Sequence, residues 1–375
     1  MNLISPALRT SSADEIARKR SNPDGELGRV PTIDALRGLA AIAVLLFHGL
    51  HAFSLPGELS GPLQFLRLGT EYGWLGVSMF FALSGWCIAQ RIHTAFRLGE
   101  SAAEFLVDRA LRIFPTYWAA LTAALSLRVA ADAMHPSGWD AGLPQGVWTW
   151  LGEIFLLQPY MGFSGFLMVS WTLVFELGFY LLAATALVAR RGGLRCRWLI
   201  AAGAVLCGWT WSDWRPAALL VLDRWPEFFA GVIAWQAARD SRARVTAAAV
   251  FALIVLPFLL PTEFSMLATA VGCGTALVLL LTARARLRRS FRSLATLGAF
   301  SYPLYLIHMP LMSPFLNLTS RFVSKNSAFF VVVWIASLLL GIFGGWALHR
   351  AIEAPAERWR RALLKSRRHP PTAIA

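Results

Sequence analysis

The sequence predicts an all-α, polytopic membrane protein of about ten transmembrane helices, and three observations lead to that fold class. The 375 residues are 57% hydrophobic and only 15% charged, whereas about a quarter of the residues in a soluble domain are charged. The mean hydropathy is +0.54. The apolar residues also form runs that are long enough to cross a bilayer of about 30 Å as helices.

Ten apolar segments are candidate spans, and the fifth and seventh are the shortest of them. Helical periodicity and length, rather than any single motif, define each one. The predicted segments are 35–53, 73–92, 113–131, 171–189, 198–212, 218–237, 245–260, 265–282, 294–316 and 327–349.

The distribution of basic residues predicts that both ends of the chain are cytosolic. If residue 1 is inside and the segments alternate, 29 of the 35 Lys and Arg fall on the cytosolic side, and cytosolic loops carry such an excess. Residues 1–31 are polar and predict a disordered cytosolic tail rather than a signal peptide. Residues 32–355 form the predicted membrane domain, and 356–375 form a basic cytosolic tail.

Two other classes of site are not expected. The net charge is +14, but the basic residues lie in short clusters between the apolar segments. The sequence contains no DNA- or RNA-binding motif, so nucleic acid is not a predicted partner. The four cysteines show no CxxC spacing, and no His/Cys/Asp cluster has zinc-site spacing. The sequence therefore predicts neither a disulfide framework nor a metal site.

The segment 146–170 is apolar but does not fit the alternation of spans. A full extra span there would reverse the side of every later loop, so the sequence predicts a re-entrant or interfacial segment. Irregular backbone within a membrane is tolerated only where it packs on protein or lines a cavity. The segment is therefore a candidate wall of a site, and a plain interfacial amphipathic helix is the alternative.

The first predicted span carries an arginine and a histidine in the stretch DALRGLAAIAVLLFHG, residues 34–49. Arg37 and His48 are eleven positions apart, which places them on nearly the same helix face with a rise of roughly 16 Å. Arg37 would then lie near the cytosolic surface and His48 near the midplane, where an ionisable group indicates function. A snorkelling arginine and a buried, hydrogen-bonded histidine form the alternative.

Two further stretches place polar groups in apolar surroundings. In MFFALSG, Ser84 is a candidate nucleophile or hydrogen-bond donor, while Gly85 permits a close backbone approach that helix packing alone would explain. In DRALRIFPTYW, Arg109 and Arg112 share a helix face. Two guanidinium groups suit a phosphate-bearing ligand, although arginines at a cytosolic helix end also follow from topology.

Two spans carry candidate cavity residues. In SWTLVFELGFY, Glu176 lies about one and a half turns inside the span and needs a partner, which is an imidazole, a sugar hydroxyl or an arginine. Trp171 and Tyr180 lie on the same segment. In SYPLYLIHMP, Tyr302 and His308 suggest an aromatic-lined polar cavity, with a kinked packing helix as the alternative.

Taken together, these stretches resemble the acyltransferase-3 family of integral membrane acyltransferases, from about residue 32 to residue 355. The family's markers are an Arg followed by ten residues and a His, an FFxxSG stretch and an RxxR pair. The WTLxxE, PEFFAG, SYxxYLxH and IExP stretches are also similar to the family's. The three markers here are Arg37 with His48, Phe80–Gly85, and Arg109 with Arg112.

The resemblance implies transfer of an acyl group, usually acetyl, from cytosolic acyl-CoA to a carbohydrate hydroxyl. The acceptor is commonly a glycan of a bacterial envelope or an exopolysaccharide, and the location is the bacterial inner membrane. Acyl-CoA is then a co-substrate, and no permanently bound cofactor is expected. The lipid bilayer and a carbohydrate or lipid-linked glycan are the other expected partners.

The expected catalytic residues are His48, Glu176 and Ser84. A neutral imidazole of His48 takes the proton of the acceptor hydroxyl, with a covalent acyl-imidazole as the alternative. Glu176 orients the imidazole or holds the acceptor. Ser84, a tyrosine hydroxyl or an arginine is the donor to the oxyanion that forms on the thioester carbonyl.

Binding residues are expected at the two ends of the site. Arginines at the cytosolic end would bind the donor phosphates, and aromatic and polar residues would form the acceptor side or the cavity wall. The donor set is Arg37, Arg109 and Arg112, and the acceptor or cavity set is Trp171, Tyr180, Tyr302 and His308.

Two functions of other classes remain open at this point. A transporter or flippase of a glycan or lipid-linked sugar would also use polar midplane residues, but it has no reason to bind or consume acyl-CoA. A structural subunit of an envelope complex predicts that the midplane residues can be replaced without chemical consequence.

Overall fold

The computed structural model describes residues 31–51, 62–134, 143–191, 224–239, 265–284, 291–319, 322 and 328–368. Several features of the sequence lie outside these residues. They are the tail up to residue 30, the segments 198–212 and 245–260, the first part of 218–237, Cys196, Cys207 and the last seven residues.

The described residues form twelve α-helices joined by short 3-10 and π turns, and there is no β-strand among them. The helices are α1 (Pro31–His51), α2 (Pro62–Thr70), α3 (Gly76–Leu98), α4 (Ala102–Met134), α5 (Gly146–Phe155), α6 (Trp171–Arg191), α7 (Trp225–Arg239), α8 (Ser265–Arg284), α9 (Arg292–Ala299), α10 (Ser301–Thr319), α11 (Ala328–Leu348) and α12 (Ala354–Arg368).

Four helical stretches in the described part of the chain are long and apolar enough to cross a membrane, and a shorter apolar helix covers Leu267–Ala283. Large apolar side chains on these helices face outward, as on α11, where Phe343 is 62% exposed and lipid would cover it. The predicted all-helical fold is confirmed for the described residues, while the count of ten spans and their orientation stay predictions. The four stretches are Thr32–His51, Gln64–Leu98, Met168–Ala189 and Phe329–Leu364.

The predicted ninth span, 294–316, is wrong as a single helix. The chain leaves helical geometry at Phe300, and this residue separates α9 from α10. Pro303 explains the break, because its ring nitrogen cannot donate to the carbonyl of Ala299 and its ring would clash there in a continuous helix. As a result α9 packs along α1, and α10 packs against α4 and α11.

The core lies among α3, α4, α6, α7 and α10 and is rich in stacked aromatic rings. Phe228 of α7 stacks between Phe81 of α3 and Phe179 of α6, with ring centroids 4.7 Å and 4.5 Å away. Such pairs contribute beyond simple area burial. This aromatic layer holds α3 and α6 together next to the polar residues that each of them carries.

The apolar segment 146–170 forms α5 and two 3-10 turns, and α5, at about 15 Å, is too short to cross the bilayer. It is fastened to α4, because the Tyr117 hydroxyl donates to the Glu153 carbonyl (2.6 Å) and the Trp118 indole donates to the Ile154 carbonyl (2.9 Å). Further along, the Val169 carbonyl accepts a hydrogen bond from the Tyr305 hydroxyl (3.4 Å). The segment therefore reaches the residues of the candidate site.

Gly85 allows α3 and α7 to approach at backbone distance, as the sequence predicts. A Cβ added to Gly85 would lie 1.9 Å from the Phe228 carbonyl oxygen, and one added to Gly231 would lie 1.9 Å from the Ala82 carbonyl oxygen. The two glycines face each other's helix across one crossing. Close approach through small residues is the usual means of helix association in a membrane.

We expect Gly85→Ala to destabilise the protein by about 1–3 kcal/mol, because the methyl group forces α3 and α7 apart. Gly274→Ala is the matched control, since that helical glycine has no atom within 4 Å of an added Cβ and alanine favours helix by up to about 1 kcal/mol. Thermal unfolding of the detergent-purified variants measures both effects. Equal melting temperatures for the two variants would contradict the backbone contact.

Candidate active site

A cavity of about 130 Å³, partly open to its surroundings, lies among α1, α3, α4, α6, α9 and α10. It collects residues from distant parts of the chain, from Arg37 of α1 to Glu353 after α11. Seven of the ten predicted site residues line it, namely Arg37, Ser84, Arg109, Arg112, Glu176, Tyr180 and Tyr302.

One end of the cavity is rich in arginine, and this is the predicted cytosolic end. Arg37 comes from α1 and donates to the Sγ atom of Cys87 (3.5 Å). Arg109 and Arg112 come from α4, and the charge of Arg112 lies close to Glu176 and to Glu353. Guanidinium groups can bind phosphate through charge-assisted hydrogen bonds.

Arg109 is held in place by its neighbour Asp108. Its Nε and Nη2 groups both donate to Asp108 Oδ2, at 3.2 Å and 2.6 Å, and its guanidinium lies 5.9 Å from the centre of the Tyr180 ring. Because Nε and Nη2 are engaged, Nη1 is the part of the guanidinium left to bind a ligand.

Asp108 is a fully buried carboxylate that the sequence interpretation did not single out. It also accepts from Arg91 Nε at 2.9 Å and from Arg360 Nη1 of α12. Burial alone would raise the pKa of Asp108, but Arg109, followed by Arg360 and Arg91, lowers it to about 2. Asp108 therefore joins α3, α4 and α12 next to Arg109, which lines the cavity.

Glu176 is the carboxylate on the cavity wall. Its Oε1 atom accepts from the Ser84 hydroxyl (3.0 Å) and from the Tyr180 hydroxyl, which leaves Oε2 for another ligand. Ser84 thus has a carboxylate as its partner, and the two residues that the sequence predicts as catalytic come together with Tyr180. The sequence predicts that Glu176 orients the imidazole of His48 or holds the acceptor. In the structure Glu176 contacts the hydroxyls of Ser84 and Tyr180 and not the imidazole of His48.

His48 lies against a second histidine instead. Its Nδ1 atom is 2.9 Å from Nε2 of His308, and the Nδ1 atom of His308 is 3.1 Å from the Leu304 carbonyl oxygen. His308, predicted to line the cavity, is 1% exposed, and both His308 and His48 lie outside the cavity lining. The ring of His308 is 6.0 Å from that of Tyr305, which does line the cavity.

Two aromatic residues of the predicted acceptor set have structural contacts. Trp171 is outside the cavity lining and packs edge-on against Phe81 and Phe175, with 40% of its surface exposed. Tyr302 lines the cavity, but its hydroxyl donates to the Ile113 carbonyl (2.9 Å). The hydroxyl of Tyr302 is therefore already engaged with backbone.

Glu353 is a further lining residue that was not predicted as part of the site. It ends the π turn His349–Glu353 and its carboxylate lies 2.6 Å from the Nδ1 atom of His349. Two signals were present in the sequence, since Glu353 is the acidic residue of the IExP stretch and follows directly on the last span. A π turn often accompanies a functional position.

Comparison with known proteins gives one family match and several relatives. Residues 30–350 match the family described as "Acyltransferase domain". The chain is 26% identical over 298 residues to a protein named as a membrane-bound transacylase, BcsY, of Komagataeibacter xylinus, covering 74% of this chain and 72% of that protein.

Two other relatives match about half of their own length. Nodulation protein 10 of Rhizobium leguminosarum bv. viciae is 29% identical over 199 residues, which is 50% of this chain and 52% of that protein. A protein named as an acetyltransferase, ORF330, of Acidianus two-tailed virus is 28% identical over 176 residues, 47% of this chain and 46% of that protein. No solved structure matches the chain.

Proposed function

The chain belongs to the acyltransferase-3 family, and on that premise we propose that it transfers an acetyl group from cytosolic acetyl-CoA to a hydroxyl of an envelope carbohydrate or exopolysaccharide. The proposed location is the bacterial inner membrane, as a multi-pass protein. The observation that carries the proposal is the cavity that combines an arginine-rich end with the Glu176 carboxylate and a wall next to the histidine pair.

The donor assignment follows from the charges of the cavity. Coenzyme A carries several phosphates, and Arg37, Arg109 and Arg112 offer guanidinium groups to them at one end. The thin pantetheine arm can extend between the apolar side chains of the lining. It would bring the thioester toward Tyr305, whose ring neighbours His308.

The reaction is a direct acyl transfer. The acceptor oxygen bonds to the thioester carbonyl carbon, the bond from that carbon to sulfur breaks, and coenzyme A leaves as a thiolate. The imidazole of His48 takes the proton of the acceptor hydroxyl and returns it to the thiolate. A group that donates to the carbonyl oxygen as it becomes negative would contribute further, and Ser84 of the lining is the candidate once its hydroxyl leaves Glu176.

Inside-out membrane vesicles of the host organism test the proposal. We would supply acetyl-CoA labelled in the acetyl group and follow the label into glycan and lipid fractions, with and without the protein. Protein-dependent label in a glycan fraction is the expected result. Label that stays on coenzyme A in both preparations, together with no measurable acetyl-CoA binding, would contradict the proposal and favour a transporter.

Arg112→Ala should raise the KM for acetyl-CoA more than it lowers kcat, because the variant loses a charge-assisted phosphate contact worth about 1.5–3 kcal/mol, or about 10- to 10²-fold. Arg358→Ala is the matched control, as this arginine is exposed on α12 and lies outside the cavity lining. Initial rates at varied acetyl-CoA concentration provide the comparison. An unchanged KM in Arg112→Ala would remove this residue from the donor site.

A further inference from the structure

The two imidazoles of His48 and His308 form a chain of hydrogen bonds whose direction can be worked out. The chain ends at the carbonyl oxygen of Leu304, 3.1 Å from His308 Nδ1. A carbonyl oxygen only accepts hydrogen bonds, so the Nδ1 atom of His308 carries a proton. In a neutral imidazole the other nitrogen, Nε2, is then an acceptor.

His308 is neutral in this arrangement for a physical reason. Its side chain is 1% exposed and packs among the apolar side chains of α10, where an isolated positive charge would be costly. Its Nε2 atom lies 2.9 Å from His48 Nδ1. Because Nε2 accepts, His48 must donate through Nδ1. In the neutral form of His48 the Nε2 atom then keeps its lone pair.

The nearest other imidazole does not compete for this bond. His51 uses its own Nδ1 atom toward the Phe47 carbonyl oxygen (3.1 Å), and its ring stacks on Phe47. The half-buried His48 ring thus has one buried nitrogen, bonded to His308, and one nitrogen left for chemistry.

We propose that His308 is a positioning residue that fixes His48 as the Nδ1–H tautomer and so makes its Nε2 atom the proton acceptor. The catalytic consequence rests on the proposed acyl transfer, whereas the tautomer itself does not. His308 takes the place that a buried carboxylate has in many catalytic triads, but it is neutral.

The bond also changes strength during the reaction. When Nε2 takes the acceptor proton, His48 becomes positively charged and its Nδ1–H bond to His308 becomes charge-assisted, hence shorter and stronger. His308 thereby stabilises the charge that develops on His48 without being charged itself.

The test compares His308→Leu, which removes the acceptor, with His308→Gln, whose amide oxygen can accept from His48 Nδ1. Nitrogen NMR of protein labelled with 15N-histidine reports which ring nitrogen carries the proton. The seven histidines require assignment, and the signals lost in His48→Ala identify those of His48. Gel filtration establishes that each variant is folded.

The wild type and His308→Gln should show a protonated Nδ1 and an unprotonated Nε2 on His48. His308→Leu should shift His48 toward the Nε2–H tautomer. An unprotonated Nδ1 in the wild type, or a spectrum of His48 unchanged in folded His308→Leu, would overturn the proposal.

Activity gives a second readout that a structural role alone would not produce. We expect His308→Leu to lower kcat by about 10²- to 10⁴-fold, the range for a base in the wrong tautomer, with the KM for acetyl-CoA unchanged and with kcat largely restored in His308→Gln. A kcat in folded His308→Leu equal to that of the wild type would overturn the positioning role. The NMR result stands even if no acyl transfer is found, so the failure of one proposal is distinguishable from the failure of the other.

Discussion

Replacing His48 with alanine should lower the rate of acyl transfer by about 10²- to 10⁴-fold, while the protein still inserts into the membrane and folds. The loss is that of a general base, because the imidazole nitrogen that is not bonded to His308 is the group that takes the acceptor proton. His48 is only half-buried, so the cavity left by truncation is small. The measurement is label transferred from acetyl-CoA per amount of protein in inside-out vesicles.

His51→Ala is the matched control for this prediction. It lies three residues further along α1 and contacts Phe47, so its loss removes an imidazole of similar exposure without touching His308. We expect activity close to that of the wild type. Full activity in His48→Ala, or an equal loss in His51→Ala with both variants folded, would contradict the role of His48 as the base.

Helical periodicity and charge pattern predict some residues of the candidate site but not how those residues meet. Arg37, Arg109 and Arg112 were identified because charged groups stand out in apolar or topologically ordered runs, and the structure places all three on one cavity. Their convergence depends on the order of helices in the bundle. Nothing in the spacing along one helix determines which other helix lies beside it.

The sequence also does not predict which side chains pair, because pairing depends on which helices lie side by side. His48 and His308 are 260 positions apart, and the sequence predicts one as a catalytic residue and the other as part of the cavity wall without indicating that they meet. Glu176 needed a partner, but the choice among an imidazole, a sugar and an arginine depended on the rotation of α6. The structure gives it two hydroxyls, from Ser84 and Tyr180.

The break between α9 and α10 illustrates a different limit. Mean hydropathy averaged over residues 294–316 indicates one continuous apolar segment. The average does not show where within that segment a helix ends, because a helix can end at a single residue. Pro303 was visible in the sequence, yet a proline inside a span can also produce only a kink. Here the chain breaks at Phe300 and a new helix begins at Ser301, so that α9 packs on α1 while α10 packs against α4 and α11.

Asp108→Ala should destabilise the protein by about 3–5 kcal/mol, the range for leaving buried charges without their partner. The side chain of Asp108 is fully buried and accepts from Arg91, Arg109 and Arg360. Its removal takes away the carboxylate that pairs with Arg109, while Arg91 keeps its ion pair with Glu100 and Arg360 keeps its ion pair with Glu357. Arg109 also loses the bonds to Asp108, and we expect a higher KM for acetyl-CoA. Chemical denaturation in detergent and initial rates measure the two effects.

Two further variants separate the parts of this effect. Arg360→Ala removes the bond between α12 and α4 but leaves Asp108 paired with Arg91 and Arg109, so a smaller loss of stability is expected. Glu71→Ala removes an exposed carboxylate from the 3-10 turn before α3 and should be close to neutral. A loss of stability in Asp108→Ala no larger than that in Glu71→Ala would contradict a stabilising role for the ion pairs of Asp108 with Arg91, Arg109 and Arg360.

The lowered pKa of Asp108 predicts how the stability of the protein depends on pH. Because the pKa of Asp108 falls from its ordinary value of 3.8 to about 2 in the fold, the ionised carboxylate stabilises the protein fully above pH about 4. That contribution is lost as the pH falls through about 2, where the carboxylate is protonated. The free energy of unfolding of the wild type should therefore decrease from pH 4 to pH 2 more steeply than that of Asp108→Asn, which has no proton to take up. Parallel decreases in the two proteins would mean that other carboxylates, rather than Asp108, carry the acid sensitivity.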